Sequence, residues 1–479
     1  QPIVLRLATL ELVRGEWRTY NFDLKEAGEF VADDLNEQTN FDVSVVNIEE
    51  NGDRQPIPYV LPPGIEQEVD NSTTYNRNQN EQSLVLKVSD LVDGDSRAAY
   101  KTFSNDFRSY KRLKMFVHAE ALSDNSSLLS DGDLSVFIRL GMDFNSNYYE
   151  YEIPLKLTPN NVSVLDDNLI WPTENELDIY FETFQNAKKT RNQAIIDGLI
   201  EDVQDIWVQA DGKNTVRVIG NPNLSQVKTI MLGVRNPKKG TQQFSDYGND
   251  DGLSKSGEIW VNELRLTEFD EKGGIAANAR INARLADFAN LNLSTSISTV
   301  GFGSIEESVT TRQKYNAFQY DISSTFSLGE FFPKKSNIKI PMYVGYSESI
   351  QSPQYNPLDP DITLKESLSQ LQSKEEKDSL RAISQDYTQR KSINFSNIRK
   401  GKTLNSKNKT KVYSPENFSA TYSYNETTSR SVNVEERKTK NTKVLLSYNY
   451  SVKPKNIKPF KNLKFLKGKY FRIIRDFNF

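Results

Sequence analysis

Between Ile275 and Leu285 one side of the chain is apolar: Ile275, Ala277, Ala279, Ile281, Ala283 and Leu285 fall on odd positions, while Asn278, Arg280, Asn282 and Arg284 fall on even ones. Alternate side chains of an extended chain point to opposite sides, so the stretch makes a strand with one dry face and one wet face. Its eleven residues are about what a tilted strand needs to cross a bilayer. The dry set is therefore expected to meet lipid and the wet set an aqueous lumen, which Ser294, Ser296 and Ser298 extend. A soluble sheet with a single buried face satisfies the same alternation. Strand length and tyrosines near the strand ends favour the membrane, where aromatic residues form girdles at both interfaces.

The pattern returns at Leu291, Leu293 and Ile297; at Phe318, Tyr320, Ile322, Phe326 and Leu328; and at Ile338, Ile340, Met342, Val344 and Tyr346. Ile393 with Phe395, then Phe418, Ala420, Tyr422 and Tyr424, then Val444, Leu446, Tyr448 and Tyr450 complete about seven strands. A mean hydropathy of −0.63 suits a soluble protein, and no apolar run approaches the ~18 residues of a membrane helix. Barrels escape this test because half of each strand is polar. Helical membrane spans are excluded, and barrel strands are not.

Upstream, residues 257–266 form a strand that closes a water-soluble β-domain, and the polar residues 267–274, ending in Gly273-Gly274, make a hinge. Short strands at 41–49, 83–88, 113–121, 134–140, 148–153, 215–219, 229–234 and 258–266, bounded by Asn, Asp or Gly, predict an antiparallel, jelly-roll-like sandwich over 41–268. The capping-box pattern Thr173-Glu174-Asn175-Glu176 predicts a helical insertion near 174–200. Residues 1–40 read as the end of a preceding β-domain and a linker, because 10–14 is similar to 262–266. Residues 269–479 read as transmembrane barrel strands with long loops. Within them, 353–389 is an insertion in which Thr363 caps a helix bearing Leu364, Leu368 and Leu371 on one face, a stripe that Lys374-Glu375-Glu376-Lys377 breaks, and it reads either as a docking or lid loop or as an ordinary surface helix.

Chemistry is sparse. Cysteine is absent and His118 is the one histidine, so thiolate chemistry, cysteine zinc sites and multi-histidine metal centres have no material. His118, on a strand between Val117 and Ala119, reads as a structural residue. No phosphate-binding Gly-rich loop appears. Asn249, Asp251, Gly252 and Glu258 match positions of a calcium loop, but Tyr247 stands where an oxygen ligand belongs and a strand follows, so an Asp/Asn/Gly turn feeding that strand explains them better. No catalytic residue, cofactor or metal is expected. Residues 390–479 carry 22 Lys and Arg against 5 Asp and Glu, and the rest 38 against 59. Nine of the cations lie between Lys453 and Arg475, interleaved with Phe460, Phe465, Tyr470 and Phe471. Such a run suits nucleic acid, lipopolysaccharide phosphates or a solvated cationic rim; the membrane reading selects the last two.

Residues 257–266 with Gly273-Gly274 and the Arg280/Arg284 strand, the run Tyr110-Lys111-Arg112-Leu113-Lys114-Met115-Phe116-Val117-His118-Ala119-Glu120, and Asn147-Tyr148-Tyr149-Glu150-Tyr151-Glu152 together resemble the SprA/Sov outer-membrane translocon of the type 9 secretion system. The resemblance is clearest over 60–305. It implies a very large single-chain barrel that passes folded cargo through the outer membrane of Bacteroidota and serves gliding motility, with a lateral opening toward a shuttle protein and a periplasmic plug. About seven strands fall short of the roughly eight that close the smallest barrel. The strands are therefore expected to pair with other segments of the same large barrel, and Gln1 opens into a strand as an internal piece would. A surface carbohydrate-binding or adhesion sandwich without a transport role is the alternative.

Overall fold

The computed structural model describes residues 17–25, 39–67, 69–70, 77–122, 129–160, 162, 166–240, 251–402, 411–451 and 468–471. The first expected strand (5–14), Tyr247, Asn249 and most of 453–475 lie outside them. The chain is mostly β, with antiparallel sheets. It divides into two compact units, one of Gln1–Gly273, Ile305–Thr311 and Gln354–Leu371, the other of Gly274–Ser304, Arg312–Pro353 and Gln372–Phe479.

The first unit is a two-sheet sandwich. In chain order its main elements are β1 (Arg18–Thr19), β2 (Asn40–Asn47), β3 (Gln82–Leu91), β4 (Ser96–Asn105), β5 (Tyr110–Ala121), β6 (Ser135–Gly141), β7 (Tyr148–Pro154), β8 (Leu177–Tyr180), α1 (Phe181–Ile196), β9 (Trp207–Asp211), β10 (Asn214–Ile219), β11 (Val227–Arg235) and β12 (Lys255–Phe269). One sheet runs β1-β4-β11-β6-β7-β10-β9 and the other β8-β5-β12-β3-β2. Alternation selects the core: Leu113, Met115, Val117 and Ala119 of β5 face Tyr149, Tyr151 and Ile153 of β7, with Ile259 and Val261 of β12 beside them, all buried. Each such side chain contributes about 1.5–3 kcal/mol by leaving water.

The helix expected from residue 174 begins at Phe181. Thr173–Asn175 is a single 3-10 turn, and Leu177–Tyr180 then pairs with β5. Leu177 and Ile179 alternate into the core, a period-two signal that overrides the capping pattern. Glu176, the residue a capping box needs, instead pairs with Lys114 at 3.1 Å. The hinge also starts later than 267, because β12 continues to Phe269, opposite Tyr110. A bulge between Asn262 and Arg265, with Glu263 at φ 54°, lets this long strand bend.

The second unit is a meander of seven long strands: β13 (Ala276–Leu285), β14 (Ala289–Ser298), β15 (Tyr315–Ser327), β16 (Pro341–Pro353), β17 (Asp386–Lys400), β18 (Phe418–Ser431) and β19 (Val434–Tyr448). Each pairs antiparallel with the next, and Ile338–Lys339 adds a short pairing to β17. Several are longer than the apolar pattern alone marks. The sheet is open: among the described residues β13 and β19 each have one unpaired edge. At its start Gly274 is required for contact, since a Cβ there would lie 2.2 Å from the Phe302 nitrogen.

Two helices occupy the 353–389 insertion. α2 (Leu364–Gln370) belongs to the first unit and carries the expected Thr363–Glu366 capping box. α3 (Lys374–Ser384) belongs to the second and has a capping box of its own, Ser373 with Glu376. The Lys374-Glu375-Glu376-Lys377 run, read as breaking an apolar stripe, is the first turn of this second helix.

Candidate functional site

The two faces of the meander differ in every strand. One continuous rung of hydrogen-bonded neighbours runs Asn282, Asn292, Ser323, Gly345, Ser392, Asn425, Asn441. The rung two residues away runs Arg280, Ser294, Asp321, Ser347, Arg390, Thr427, Thr439. Asn278, Arg280, Asn282, Arg284, Ser294, Ser296 and Ser298 all belong to this face, because Asn278 pairs Ser296, Arg280 pairs Ser294, and Ser298 pairs Ala276. Side chains bond along it: Asn425 donates to Ser423 at 3.0 Å, and Ser423 reaches Asn394 at 2.5 Å. It is a lawn of hydroxyls and amides with a few charges.

Ala277, Ala279, Ile281, Ala283 and Leu285 lie on the opposite face, opposite Ile297, Thr295, Leu293, Leu291 and Ala289; Ile275, just before β13, continues their alternation. The apolar band on this face is oblique. On β13 it is centred near Ile281, whose rung passes through Leu293, Ile322 and Tyr346 to Lys391, Glu426 and Lys440. On β19 the band is Val444, Leu446 and Tyr448, centred six residues beyond Lys440. Six residues of ~3.3 Å over six strand spacings of ~4.8 Å incline the band about 35° to the rungs. Strands that cross a slab at a tilt give such an offset, and membrane barrels tilt by ~35–45°. The band is uncovered, with Val444 77% and Leu446 70% exposed.

A bulge keeps the faces in phase. Between Phe395 and Ile398 of β17 an extra residue enters, with Asn397 at φ 54°. Phe395 then pairs Tyr422 and Ile398 pairs Ala420, so both stay on the apolar face although their numbers differ in parity. Without the extra residue Ile398 would join the polar face.

Beyond the band, toward the 354–385 connection, the same face turns polar. The Glu348 carboxylate accepts from Tyr320 at 2.8 Å, Tyr387 at 2.8 Å, Gln389 at 3.0 Å and also Tyr346. On β18, Glu426 accepts from Tyr424 at 2.5 Å and pairs with Lys438 at 3.1 Å. Three tyrosines on one carboxylate is a constellation the alternation does not reveal, since the residues lie far apart in sequence. The expected clustering of tyrosines at strand ends was its only trace.

In the first unit, the motifs singled out above build ionic frameworks. Tyr149 and Tyr151 enter the core, while Glu150 and Glu152 on the other face hold three arginines. Glu150 binds Arg139 at 2.5 Å, Arg217 at 2.8 Å and Arg235 at 2.9 Å; Glu152 takes Arg217, Arg235 and Ser135. Burial alone would raise the Glu150 carboxyl, but Arg235, Arg139 and Arg217 hold it well below its usual range. His118 is fully buried and stacks on Trp260, ring centres 3.9 Å apart. Its Nδ1 lies 2.8 Å from the Ile170 carbonyl, which only accepts, so Nδ1 carries a proton. The calcium-loop positions are otherwise engaged: Asp251 accepts from Lys255 at 3.0 Å, and Glu258 from Arg54 at 3.0 Å and the Trp260 indole at 2.9 Å.

The 354–371 segment is built into this unit. Asp361, fully buried, accepts from Tyr149 at 2.5 Å, the Leu224 amide at 2.6 Å and Lys188 at 3.3 Å; Asp359 takes Lys188 at 2.7 Å. Burial raises the Asp361 carboxyl even against Lys188. Arg108 lies over the Tyr355 ring at 4.3 Å and donates to the Pro360 carbonyl at 3.2 Å.

A two-faced sheet following a sandwich is an arrangement several protein classes share, and a family comparison distinguishes them. The family model described as a motility related/secretion protein, SprA N-terminal, matches residues 1–368. The chain belongs to this SprA family. The match spans the sandwich, the hinge and the first four strands of the meander. No curated protein matches the chain. The function is thus related to motility and secretion, and the family is not one of enzymes.

Proposed function

We propose that the chain is part of a protein-conducting channel of the outer membrane that exports folded cargo, as in type 9 secretion by Bacteroidota. The seven-stranded meander is a section of the barrel wall. Asn278, Arg280, Asn282, Arg284, Ser294, Ser296 and Ser298 line the lumen, and Ile275, Ala277, Ala279, Ile281, Ala283 and Leu285 meet lipid. The observation that carries this reading is the oblique apolar band on one face, backed by unbroken polar rungs on the other. A soluble sheet with one buried face needs no oblique band, because its covering layer follows the strands rather than a flat slab. The open edges of β13 and β19 pair with further strands of the same barrel. Shuttle protein, plug, cargo and lipopolysaccharide are its partners on this reading.

Single cysteines placed in this cysteine-free chain test the facing. In intact outer membranes, Asn278→Cys, Asn282→Cys and Ser296→Cys should react with a water-soluble maleimide far faster than Ala277→Cys, Ile281→Cys and Leu285→Cys. The reverse order would refute the facing. A protein that fractionates away from the outer membrane would refute the channel reading and favour a surface adhesin.

A further inference from the structure

His118 is the chain's single imidazole, and the sandwich encloses it completely. It lies on the face of β5 turned away from the inter-sheet core, under a cover made by residues 54–60 and 166–171 with Thr158. Its Nδ1 meets the Ile170 carbonyl at 2.8 Å and Thr158 Oγ1 at 3.0 Å. The Trp171 indole donates to the Val60 carbonyl at 2.9 Å, and Ile57, Tyr59, Ile170 and Trp171 pack with Trp260 in a buried cluster. The other ring nitrogen, Nε2, is buried without a hydrogen-bond partner, and so is the atom it faces, Glu120 Oε2; the two are 3.5 Å apart. That gap is too narrow for a bridging water, which needs roughly 4.5 Å or more between the atoms it joins.

Donor and acceptor accounting fixes the proton count. With a proton on Nδ1 alone, the Nε2 lone pair confronts a carboxylate oxygen; with one on Nε2 alone, the Nδ1 lone pair confronts the Ile170 carbonyl. Only the doubly protonated ring places a donor at both contacts. Glu120 does not hold the second proton itself: burial pushes its carboxyl up, but His118 and Arg54, which donates to Oε1 at 2.6 Å, bring it below its usual range. The surrounding charges agree. The rung through Glu120 runs Glu120, Glu258, Lys87, Asp42 across β5, β12, β3 and β2. Arg54, shared by Glu120 and Glu258, is the one cation the cover adds, and Asp166 and Asp167 beside Ile170 add only negative charge. Three carboxylates on the rung thus face two cations, and a charged imidazole supplies the third. Its stacking on Trp260, ring centres 3.9 Å apart, also favours the cation.

We propose that His118 is a proton-operated latch: with both ring nitrogens protonated it joins Ile170 to Glu120 and holds the cover on the sheet, and loss of one proton loosens the cover. A proton that the folded chain binds more tightly than the unfolded one stabilises fully below the ordinary histidine value of about 6.5 and progressively less as pH rises. Loosening uncovers the aromatic cluster of Tyr59, Trp171 and Trp260 that is otherwise enclosed. The latch lies wholly in the first unit and stands apart from the channel reading.

The single histidine makes the test direct. In the whole chain labelled with 15N-histidine, both imidazole nitrogens should show N–H signals at neutral pH. In Glu120→Gln, whose amide can donate to a bare Nε2, only one should. Amide exchange, corrected for its intrinsic pH dependence, then reads the latch. Opening of 54–60 and 166–171 should grow by up to about tenfold per pH unit as the proton is lost between about pH 6 and about pH 9, with peptides of β6 and β7 unchanged, and Glu120→Gln should lack that dependence. A wild-type imidazole with one bare nitrogen at neutral pH overturns the charge assignment and the latch with it. Opening that is independent of pH in the wild type, or equally dependent in Glu120→Gln, overturns the latch; the wild-type readings decide even where the variant fails to fold.

Discussion

Replacing Glu150 by Gln removes the carboxylate that three guanidinium groups share. In the native sandwich Arg139, Arg217 and Arg235 all reach it within 2.9 Å, and its side chain is 1% exposed. The variant leaves Arg217 and Arg235 with Glu152 and takes from Arg139 the carboxylate it pairs with, an uncompensated charge of the kind that costs ~3–5 kcal/mol when one partner of a buried pair is removed. Arg217 is 24% exposed and Arg235 14%, so water relieves part of that cost and the lower end applies. About 3 kcal/mol corresponds to roughly a 150-fold larger opening equilibrium. Amide hydrogen exchange of the whole chain reads this directly in peptides covering β6 and β7. The acid side gives an independent sign. The Glu150 carboxyl is held low in the folded protein, so its stabilisation is fully present above the ordinary value of 4.5 and is lost as pH falls through the depressed one. The gap between wild type and variant should therefore narrow below about pH 4.5. A change under about tenfold at neutral pH, where ~1.4 kcal/mol is one decade, would show that the arginines find water or other partners, and the argument from buried charge would fail.

Replacing Ser294, Ser296 and Ser298 together by Leu should leave assembly in the outer membrane largely intact and slow or trap secreted cargo; normal secretion by the assembled variant would mean that these strands do not line the path. Asp361→Ala leaves the Tyr149 hydroxyl and the Leu224 amide without their acceptor and Lys188 with Asp359 alone, so residues 354–371 should open to exchange or protease with a penalty of ~1–3 kcal/mol. Because burial raises the Asp361 carboxyl, the folded state holds that proton more tightly than the unfolded one, and the native contact should weaken as pH climbs through the raised value. Ser373→Ala removes the α3 cap and should cost about 1 kcal/mol, read as faster exchange confined to 374–384.

The alternation of single strands was legible because β side chains obey a local rule, and β13 follows it at every position from Ala277 to Leu285. The start of α1 was not, because Thr173-Glu174-Asn175-Glu176 satisfies a helix cap while Leu177 and Ile179 satisfy a strand; the β5 edge, available only in three dimensions, decided between them. α3 was legible and overlooked: Ser373-Lys374-Glu375-Glu376 is the same cap pattern as Thr363-Leu364-Lys365-Glu366, read instead for its broken apolar stripe. The bulge at Asn397 could not be read at all, since nothing in Asn394-Phe395-Ser396-Asn397-Ile398 announces which residue is extra. The motif Tyr148-Tyr149-Glu150-Tyr151-Glu152 marked the family, but its reason is spatial. Its glutamates meet arginines from β6, β10 and β11, which no local pattern connects.

The two units place charge by opposite rules, and the difference follows from what surrounds them. In the sandwich, water covers the outside and the core is apolar, so charged residues that the fold encloses must be paired inside: Glu150 and Glu152 with three arginines, Asp361 with Lys188. In the meander there is no enclosed core between sheets. Every charge must stand on the wet face or beyond the ends of the dry band, and a bulge of one residue suffices to keep it there. That rule also limits size on the wet face. Its central rung offers only Asn, Ser and Gly, side chains too short to fill the interior of a small barrel. Such a surface is stable only against water, and it presents no apolar patch to which a folded protein passing over it would adhere. On the channel reading proposed above, a wide aqueous interior follows from this rung composition, and the wall that encloses it contains more strands than the seven described here.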